Sequence, residues 1–495
     1  MPNLSRRQFV QRSGQVFAAG ALASQLGWLS ACGGNGSPDW EKLANRLDGS
    51  LVVPTDRAYA RLSLPQNRRY ADIRPRGIAM CASPADARES LLWARDADIP
   101  IAVRSGGHNY AGYSTTDGLV IDLGRMKGVN VNQGQGTVQA QAGARNTDVY
   151  AGLQPHGVAI SAGRCPTVAI GGLVLGGGVG FSSRRLGLTC DQLTRAEMVT
   201  PAGDLVTCSR SENQDLFWAL RGGGGGNFGI CTSYEFATRP VGEVTLYDIE
   251  WEWRDAAKVF TAFQGVMADA PDEFSARLGL GRPGGRSGNP GSPAISALGQ
   301  FFGTKSDLTA LLDPALSAAR PSSQLIAART FWQAKNYFFH TTPRGYYEVK
   351  SSYASRPLSS AAIQTLVDWI ERWPGSSNPD GCGVAVFASG GAINRVPADA
   401  TAFVHRDEFA LIATETSWSG RDSESLVGRN LDWIESFAEA MRPHVSGFAY
   451  QNFIDRSQAD WENAYYGSNL ERLTEIKRRH DPDDVFSFEQ SIPLA

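Results

Sequence analysis

Several common classes are excluded by what this chain lacks. Its 7 cysteines and 6 histidines never fall into a Cys-x-x-Cys or His-x-x-x-His spacing, so no structural zinc site is expected. Charge is sparse: Asp, Glu, Lys and Arg together make 20% of the residues, with a net charge of −3. That leaves no basic footprint for DNA or RNA, and nucleic acid is excluded as a partner. No apolar run is long enough to be a convincing membrane span; the stretch from Val16 to Leu29 is short and rich in alanine and glycine. Glycine is plentiful, 54 residues, but has no collagen-like period. It gathers near 171–180 and 222–229, which marks loops rather than a fibre. At 495 residues the chain is long enough for more than one domain and an ample core.

The N-terminus reads as an address. Ser5-Arg6-Arg7-Gln8-Phe9-Val10 matches the twin-arginine export signal. Leu29-Ser30-Ala31-Cys32 then fits a bacterial lipobox, in which Cys32 would carry a lipid anchor, and Gly33 to Pro38 forms a flexible tether. The expectation is a signal over 1–32, a tether over 33–45, and a mature protein outside the cytoplasm, in the periplasm or beyond. The alternative is a plain exported protein with a cysteine near its cleavage site. Twin-arginine export carries folded proteins, and a preloaded cofactor is a common reason to use it. Setting aside Cys32 and Cys165, the remaining cysteines are Cys81, Cys190, Cys208, Cys231 and Cys382. An exported chain is free to form disulfides, but spacing assigns no pairs.

Two glycine loops carry the chemistry. An apolar run from Ile99 to Val103 reads as a short buried strand and leads into Arg104-Ser105-Gly106-Gly107-His108-Asn109-Tyr110. The glycines let backbone approach a ligand, with N–H groups turned to a phosphate. Gly163-Arg164-Cys165-Pro166-Thr167-Val168-Ala169-Ile170-Gly171-Gly172 repeats the plan with a cysteine beside a Gly-Gly pair. Two nucleophilic side chains at the rims of two such loops suggest a large anionic cofactor held by covalent bonds. A third run, Gly222 to Gly229, contains Gly-x-Gly-x-x-Gly. Its context speaks against a Rossmann loop, because the glycines follow a helix and enter a strand from Ile230 to Phe236.

The surrounding pattern is α+β. Ser83 and Pro84 open a helix with an apolar face at Leu91 and Leu92. Strands are expected at Leu119 to Leu123 and Thr137 to Ala142. Ser211-Glu212-Asn213-Gln214 reads as a capping box for a helix from Asp215 to Arg221. From Val244 to Trp251 apolar residues alternate, and strands then alternate with helices such as Ala361 to Trp373 and Leu426 to Met441. This second domain is expected to be an antiparallel sheet with helices on one face. The Gly/Pro/Ser-rich stretch Gly281 to Pro293 is a loop.

The ordered motifs resemble the berberine-bridge-enzyme-like oxidases, within the flavoprotein superfamily of vanillyl-alcohol oxidase and p-cresol methylhydroxylase. The resemblance runs from about Tyr70 through both glycine loops, Leu186 to Asp191, Thr200 to Asp204 and Asn213 to Gly222. It returns at Tyr450-Gln451-Asn452, Asp481-Pro482 and Gln490 to Pro493. It implies a two-part FAD-binding domain of the p-cresol-methylhydroxylase type over 46–240, with a C-terminal return over 446–495. A substrate domain over 241–445 would hold the antiparallel sheet that roofs the flavin ring. It also implies FAD attached twice, through His108 and Cys165. Pyrophosphate would lie against the amides of Ser105, Gly106, Gly107, Asn109 and Tyr110, beside Arg104. Gly171, Gly172, Gly176, Gly177 and Gly180 would line the dinucleotide path, tight strand packing being their other reading. Ile230 and Asn452 complete the expected cofactor contacts.

The resemblance also bears on reactivity. Val168 falls where the family borders flavin C4a; valine or isoleucine there goes with oxidases, and leucine with dehydrogenases. Removing hydride from a substrate C–H requires a base for the hydroxyl proton. A phenol serves only if its pKa falls toward ambient pH from about 10. The family draws a tyrosine from its Tyr-x-Asn motif, matched here by Tyr450 and Asn452, whereas a second tyrosine of some members is Phe453 here. Other members use a glutamate from the roofing sheet, which makes Glu415 the second candidate; Asp455 would orient a neighbour. The aromatic group Phe331, Trp332, Tyr337, Phe338, Phe339, Tyr346 and Tyr347 is core, with a subset lining a pocket. The leading expectation is a secreted FAD oxidase acting on an alcohol, hemiacetal or activated C–H group of a small molecule (sugar, alkaloid or polyketide-like), with O2 as acceptor and H2O2 as product. A dehydrogenase with another acceptor, and a flavin-free binding protein on the same fold, are the alternatives.

Overall fold

The computed structural model describes residues 38–285, 287–340 and 343–494. The export signal, the lipobox with Cys32 and the first part of the tether lie outside the described residues. Three principal sheets build the unit from Trp40 onward. The first holds β1 (Ser50–Val52), β2 (Gly77–Met80), β3 (Ile101–Arg104) and β4 (Leu119–Asp122), in the order β1-β2-β4-β3. β2, β4 and β3 are parallel, so β2 and β3 need a crossover. The helix Pro84–Asp96 supplies it. Ser83 accepts a hydrogen bond from the Asp86 amide, Pro84 stands at the first helical position, and Ala87, Leu91 and Ala94 face the core. β4 is buried along its whole length, as a covered parallel strand requires.

The second sheet holds β5 (Val129–Asn132), β6 (Thr137–Gln141), β7 (Leu193–Val199), β8 (Leu205–Ser209) and β9 (Ile230–Ala237), ordered β5-β6-β9-β7-β8 and antiparallel throughout. The glycine run 222–229 does lead from a helix, Gln214–Ala219, into β9. The expected capping box does not form there. Asn213 adopts a left-handed φ of 45° and its side-chain amide donates to the Thr207 carbonyl at 2.7 Å. Ser211 instead pairs its hydroxyl with Ser209 at 3.2 Å. The loop is tied back to β8, and this draws Ser211 away from the helix end.

The third sheet has seven antiparallel strands: β10 (Glu243–Glu252), β11 (Arg277–Arg282), β12 (Ala294–Phe301), β13 (Ser323–Thr330), β14 (Tyr346–Ala354), β15 (Cys382–Ala388) and β16 (Ala410–Trp418). Their order is β13-β10-β12-β11-β15-β16-β14. The helices Ala256–Asp269, Lys305–Ala318, Ser360–Glu371 and Glu424–Met441 contribute Phe260, Phe263, Leu312, Leu366, Trp433 and Phe437 to one core. Ile249, Leu278, Val384 and Ile412 of the sheet share it. Each such side chain adds roughly 1.5–3 kcal/mol by leaving water. Because side chains alternate along a strand, Gly279, Ala385, Ala413 and Glu415 point to the opposite face. The arrangement is α+β.

After Met441 the chain returns to the first two sheets. Tyr450, Ile454, Tyr465, Tyr466, Leu473, Ile476, Phe486 and Ile492 join Phe217, Trp218 and Phe228 in a second, larger core. Phe331 and Phe338 also belong to that core rather than to the one under the sheet's helices. The six cysteines among the described residues are all free thiols, and all but Cys165 are buried.

Candidate active site

Between the first two sheets and the bare face of the third lies a cavity of about 1350 Å³. Its wall includes Ser105, Gly106, Gly107, His108, Asn109, Tyr110, Cys165, Val168, Gly171, Gly172, Gly180, Glu415, Tyr450 and Asn452. Residues far apart in sequence therefore meet in one space.

One end is built to receive an anion. Among the described residues, none of the amides from Ser105 to Tyr110 donates to another protein group. The hydroxyls of Ser114 and Thr115 line the same cavity and are buried without a partner. Unpaired buried donors of this kind are costly unless a ligand satisfies them. The Asn109 side chain holds the loop, its Oδ1 accepting from the amides of Ala111 and Tyr113 at 3.1 and 3.0 Å. A side chain at Gly106 would reach within 2.7 Å of the Ala169 amide, so the two loops close on each other only because this position is glycine. A Cβ on Gly172 would meet nothing within 4 Å; this glycine opens on the cavity. Free amides, orphaned hydroxyls and open backbone fit the diphosphate of a dinucleotide.

The two expected anchors converge. His108 Nε2 lies 3.0 Å from Thr167 Oγ1, and Cys165 Sγ lies 3.6 Å from the same oxygen. One threonine hydroxyl thus faces both nucleophiles. Asn146 fixes the cysteine loop, its side-chain amide donating to the Cys165 carbonyl at 2.8 Å and its backbone amide to Val168 at 2.8 Å. Burial, followed by the charges of Arg145 and Arg344, lowers His108 to about 4. At neutral pH the imidazole is uncharged and has a lone pair to offer.

The catalytic candidates face the same space from the other side. Tyr450 is 2% exposed, and its hydroxyl accepts from the Gly178 amide at 2.9 Å and from Asn452 Nδ2 at 3.0 Å. Burial pushes the phenol up to about 12 in spite of those donors, opposite to the direction a base at neutral pH needs. Glu415 is exposed to the cavity and accepts no hydrogen bond from a neighbour in the described set. Beside them Tyr110 stacks on Phe453, with ring centroids 5.2 Å apart and planes at 14°, and meets Tyr347 edge-on at 5.5 Å. Phe453 is one leaf of this aromatic clamp. Asp455 lies elsewhere in role: it receives Lys350 Nζ at 2.6 Å.

Four sequence-derived assignments are corrected. Arg104 does not line the cavity; its Nε binds Asp122 at 2.6 Å behind the loop. Gly176 and Gly177 are packing glycines, because a Cβ there would approach Asn452 Oδ1 at 2.2 Å and Phe403 at 2.8 Å. The Ile230 side chain is wholly buried in the core at the head of β9, while its neighbours Gly229 and Cys231 reach the cavity. Sequence reasoning missed Ser114 and Thr115, whose only signal was a polar run just after the first glycine loop. It also missed Arg164 and Arg277, which line the cavity from opposite sides.

Comparison with known proteins agrees with this geometry. Residues 75–209 match the family model for an FAD binding domain, and residues 449–493 match the model for berberine and berberine-like proteins. The uncharacterized FAD-linked oxidoreductase YgaK of Bacillus subtilis (strain 168) is 37% identical over 462 residues, spanning 90% of this chain and 97% of that protein. Glucooligosaccharide oxidase of Sarocladium strictum is 32% identical over 462 residues, spanning 86% and 88%. The solved structure of Physcomitrella patens BBE-like 1 superposes with a TM-score of 0.83 at 29% identity, covering 92% of this chain and 99% of that one.

Proposed function

This chain belongs to the berberine-bridge-enzyme-like family of FAD-linked oxidoreductases, and from that premise we propose an oxidase with doubly attached flavin that acts on an alcohol or hemiacetal. When bound, the flavin supplies the two-electron acceptor for a hydride from the substrate carbon, and O2 then takes the electrons to give H2O2. The observation that carries the reading is the convergence of His108 and Cys165 on Thr167 at one wall of the cavity. An uncharged imidazole and a thiol side by side suit attachment of one ring at two neighbouring positions. Val168 at the same loop favours O2 as acceptor over a dehydrogenase's partner.

The chain's own groups divide the remaining work. Glu415 takes the proton of the substrate hydroxyl, being the carboxylate of the roofing sheet that opens on the cavity. Tyr450 keeps its proton and donates it as a hydrogen bond, with Gly178 and Asn452 orienting the phenol oxygen. Tyr110, Phe453 and Tyr347 present ring faces and edges against which a substrate ring can pack. The cavity is reached from outside the cytoplasm if the N-terminal signal works as its sequence suggests, with Cys32 as the lipid anchor. Residues 46–240 and 446–495 hold the cofactor, and 241–445 shape the substrate space.

The test is the absorbance of the purified protein before and after acid precipitation, with mass analysis of its peptides. Colour that stays with the precipitate, and flavin on the peptides containing His108 and Cys165, is the expected result. Flavin released into the supernatant would remove the double attachment. Oxygen consumption in equal measure with peroxide formed during turnover checks the acceptor.

A further inference from the structure

Part of the sheet face turned to the cavity, its ceiling, carries only small residues. On the bare face of β11, β15 and β16 stand Gly279, Gly281, Gly383, Ala385 and Ala413, while their neighbours Leu278, Leu280, Val384, Val386 and Ile412 fill the core behind. Four larger side chains share that face: Arg277, Phe387, Leu411 and Glu415. Arg277 extends over Gly279, where a Cβ would stand 2.8 Å from its Nη1; the glycine makes room for the guanidinium. Arg277 Nε is sealed from solvent and has no hydrogen-bond partner. Among the described residues, no carboxylate lies within ion-pair distance of Arg277 or of Arg164, which reaches in from the Cys165 loop.

The two guanidiniums feel each other. Burial and then the Arg164 charge lower Arg277 to about 10, and burial lowers Arg164 as well, with Glu415 the main opposing influence. Glu415 and, more weakly, Asp248 oppose that effect on Arg277, yet the cavity wall as a whole carries more arginines than carboxylates. The surplus continues toward the solvent side, where Arg68, Arg344 and Arg421 line the cavity against Asp380. This happens in a chain whose net charge is −3, so the positive potential is a local construction, focused by low-dielectric walls. Two arginines that face one cavity from opposite walls, without a carboxylate partner, suit a ligand anion lying between them. A neutral glycan can accept from the guanidiniums but brings no charge to balance them, and a cationic amine would be repelled.

We infer that Arg164 and Arg277 form an anion-binding end of the substrate space and that the natural substrate is a carboxylate-bearing alcohol, such as a sugar acid. The inference rests on the oxidase reading above. Bound so, the carboxylate would be held at the ceiling by the arginines, leaving a hydroxyl of the same molecule to reach Glu415 and Tyr450.

The experiment uses the flavin-loaded enzyme and matched pairs differing only in oxidation at C6 of each sugar residue: glucuronate with glucose, and α-1,4-digalacturonate with α-1,4-galactobiose. Anaerobic bleaching of the flavin gives half-saturation for each, and calorimetric titration gives the same ratio without relying on flavin. In at least one pair the acid is expected to bind about tenfold or more tighter than its neutral twin. That advantage shrinks as salt rises. Arg277→Gln lowers the acid-to-neutral ratio by about tenfold, and Arg164→Gln, an independent check on folding, lowers it in the same direction. The inference is overturned if no acid binds, if the neutral twin binds as tightly in every pair, or if both variants preserve the ratio. It is likewise overturned if Arg277→Gln shifts the flavin spectrum before any ligand is added and keeps the ratio, since the arginine then serves the cofactor. Absence of flavin and of bleaching with every ligand is a failure of the oxidase reading instead; calorimetry still decides the anion preference.

Discussion

Lys477 Nζ lies 2.6 Å from Asp481 Oδ2, one helical turn away, and neither side chain is exposed to solvent. The same ammonium donates to the carbonyls of Asn227 at 3.0 Å and Phe486 at 2.8 Å. It therefore ties the end of the glycine run 222–229 and the segment around Phe486, both in the cavity wall, to the helix Leu470–His480. Lys477→Met should strand a buried carboxylate and two carbonyls, at a cost of roughly 3–5 kcal/mol. Thermal or denaturant unfolding measures it; a loss under about 1 kcal/mol would show that the lysine is not a structural tie.

A second buried group makes stability depend on acid. His405 is 3% exposed, its ring 4.4 Å from Tyr353 and 5.2 Å from Phe403. Burial lowers it to about 3 from an ordinary 6.5. Between those two pH values the unfolded chain binds a proton that the folded chain refuses. Stability from this group is fully present above pH 6.5 and falls as pH drops toward about 3, by roughly 5 kcal/mol in all. His405→Phe should flatten that part of the profile. An unchanged slope of unfolding free energy between pH 6 and 4 would assign acid sensitivity to other groups.

The division of labour between Glu415 and Tyr450 has a kinetic signature. Glu415→Gln is expected to lower kcat/KM by about 10²–10⁴ and to remove the acid limb of its pH profile. Tyr450→Phe should cost about tenfold, the scale of one oriented hydrogen bond, and leave that limb in place. The reverse pattern would return the role of base to the phenol.

Two neighbouring glycines should answer alanine differently. Gly172→Ala meets nothing within 4 Å, so the melting temperature should hold while the added methyl intrudes on the cavity and flavin content falls. Gly176→Ala collides with Asn452, so stability should fall by about 1–3 kcal/mol. Visible absorbance per protein and a melting curve on each variant separate the two outcomes.

Much of this was legible in the chain because the relevant signals were local. Ser83 and Pro84 start their helix, and the helix-to-strand context of 222–229 holds in the structure. His108, Cys165 and Tyr450 all reach one cavity because the order of motifs fixes a known chain path. What failed depended on partners distant in sequence. Ser211 lost its capping role because Asn213 is bound to Thr207. Arg104 and Gly176 carry the right residue types, but Asp122 and Asn452 claim the space around them. Arg277 gave no motif at all. Its meaning comes from the empty positions beside it, and a row of small residues reads as weak strand until its two faces are known.

The bare ceiling gives the seven-stranded sheet two independent jobs. On β15 and β16 one register, with Val384 and Ile412, is committed to the helices behind; in the other, Ala385, Ala413 and Glu415 open on the cavity. A substitution in the second register alters the shape and charge offered to a ligand while the packed layer stays as it was. Diversification of what such a protein accepts can therefore proceed one ceiling position at a time, without a compensating change in its framework.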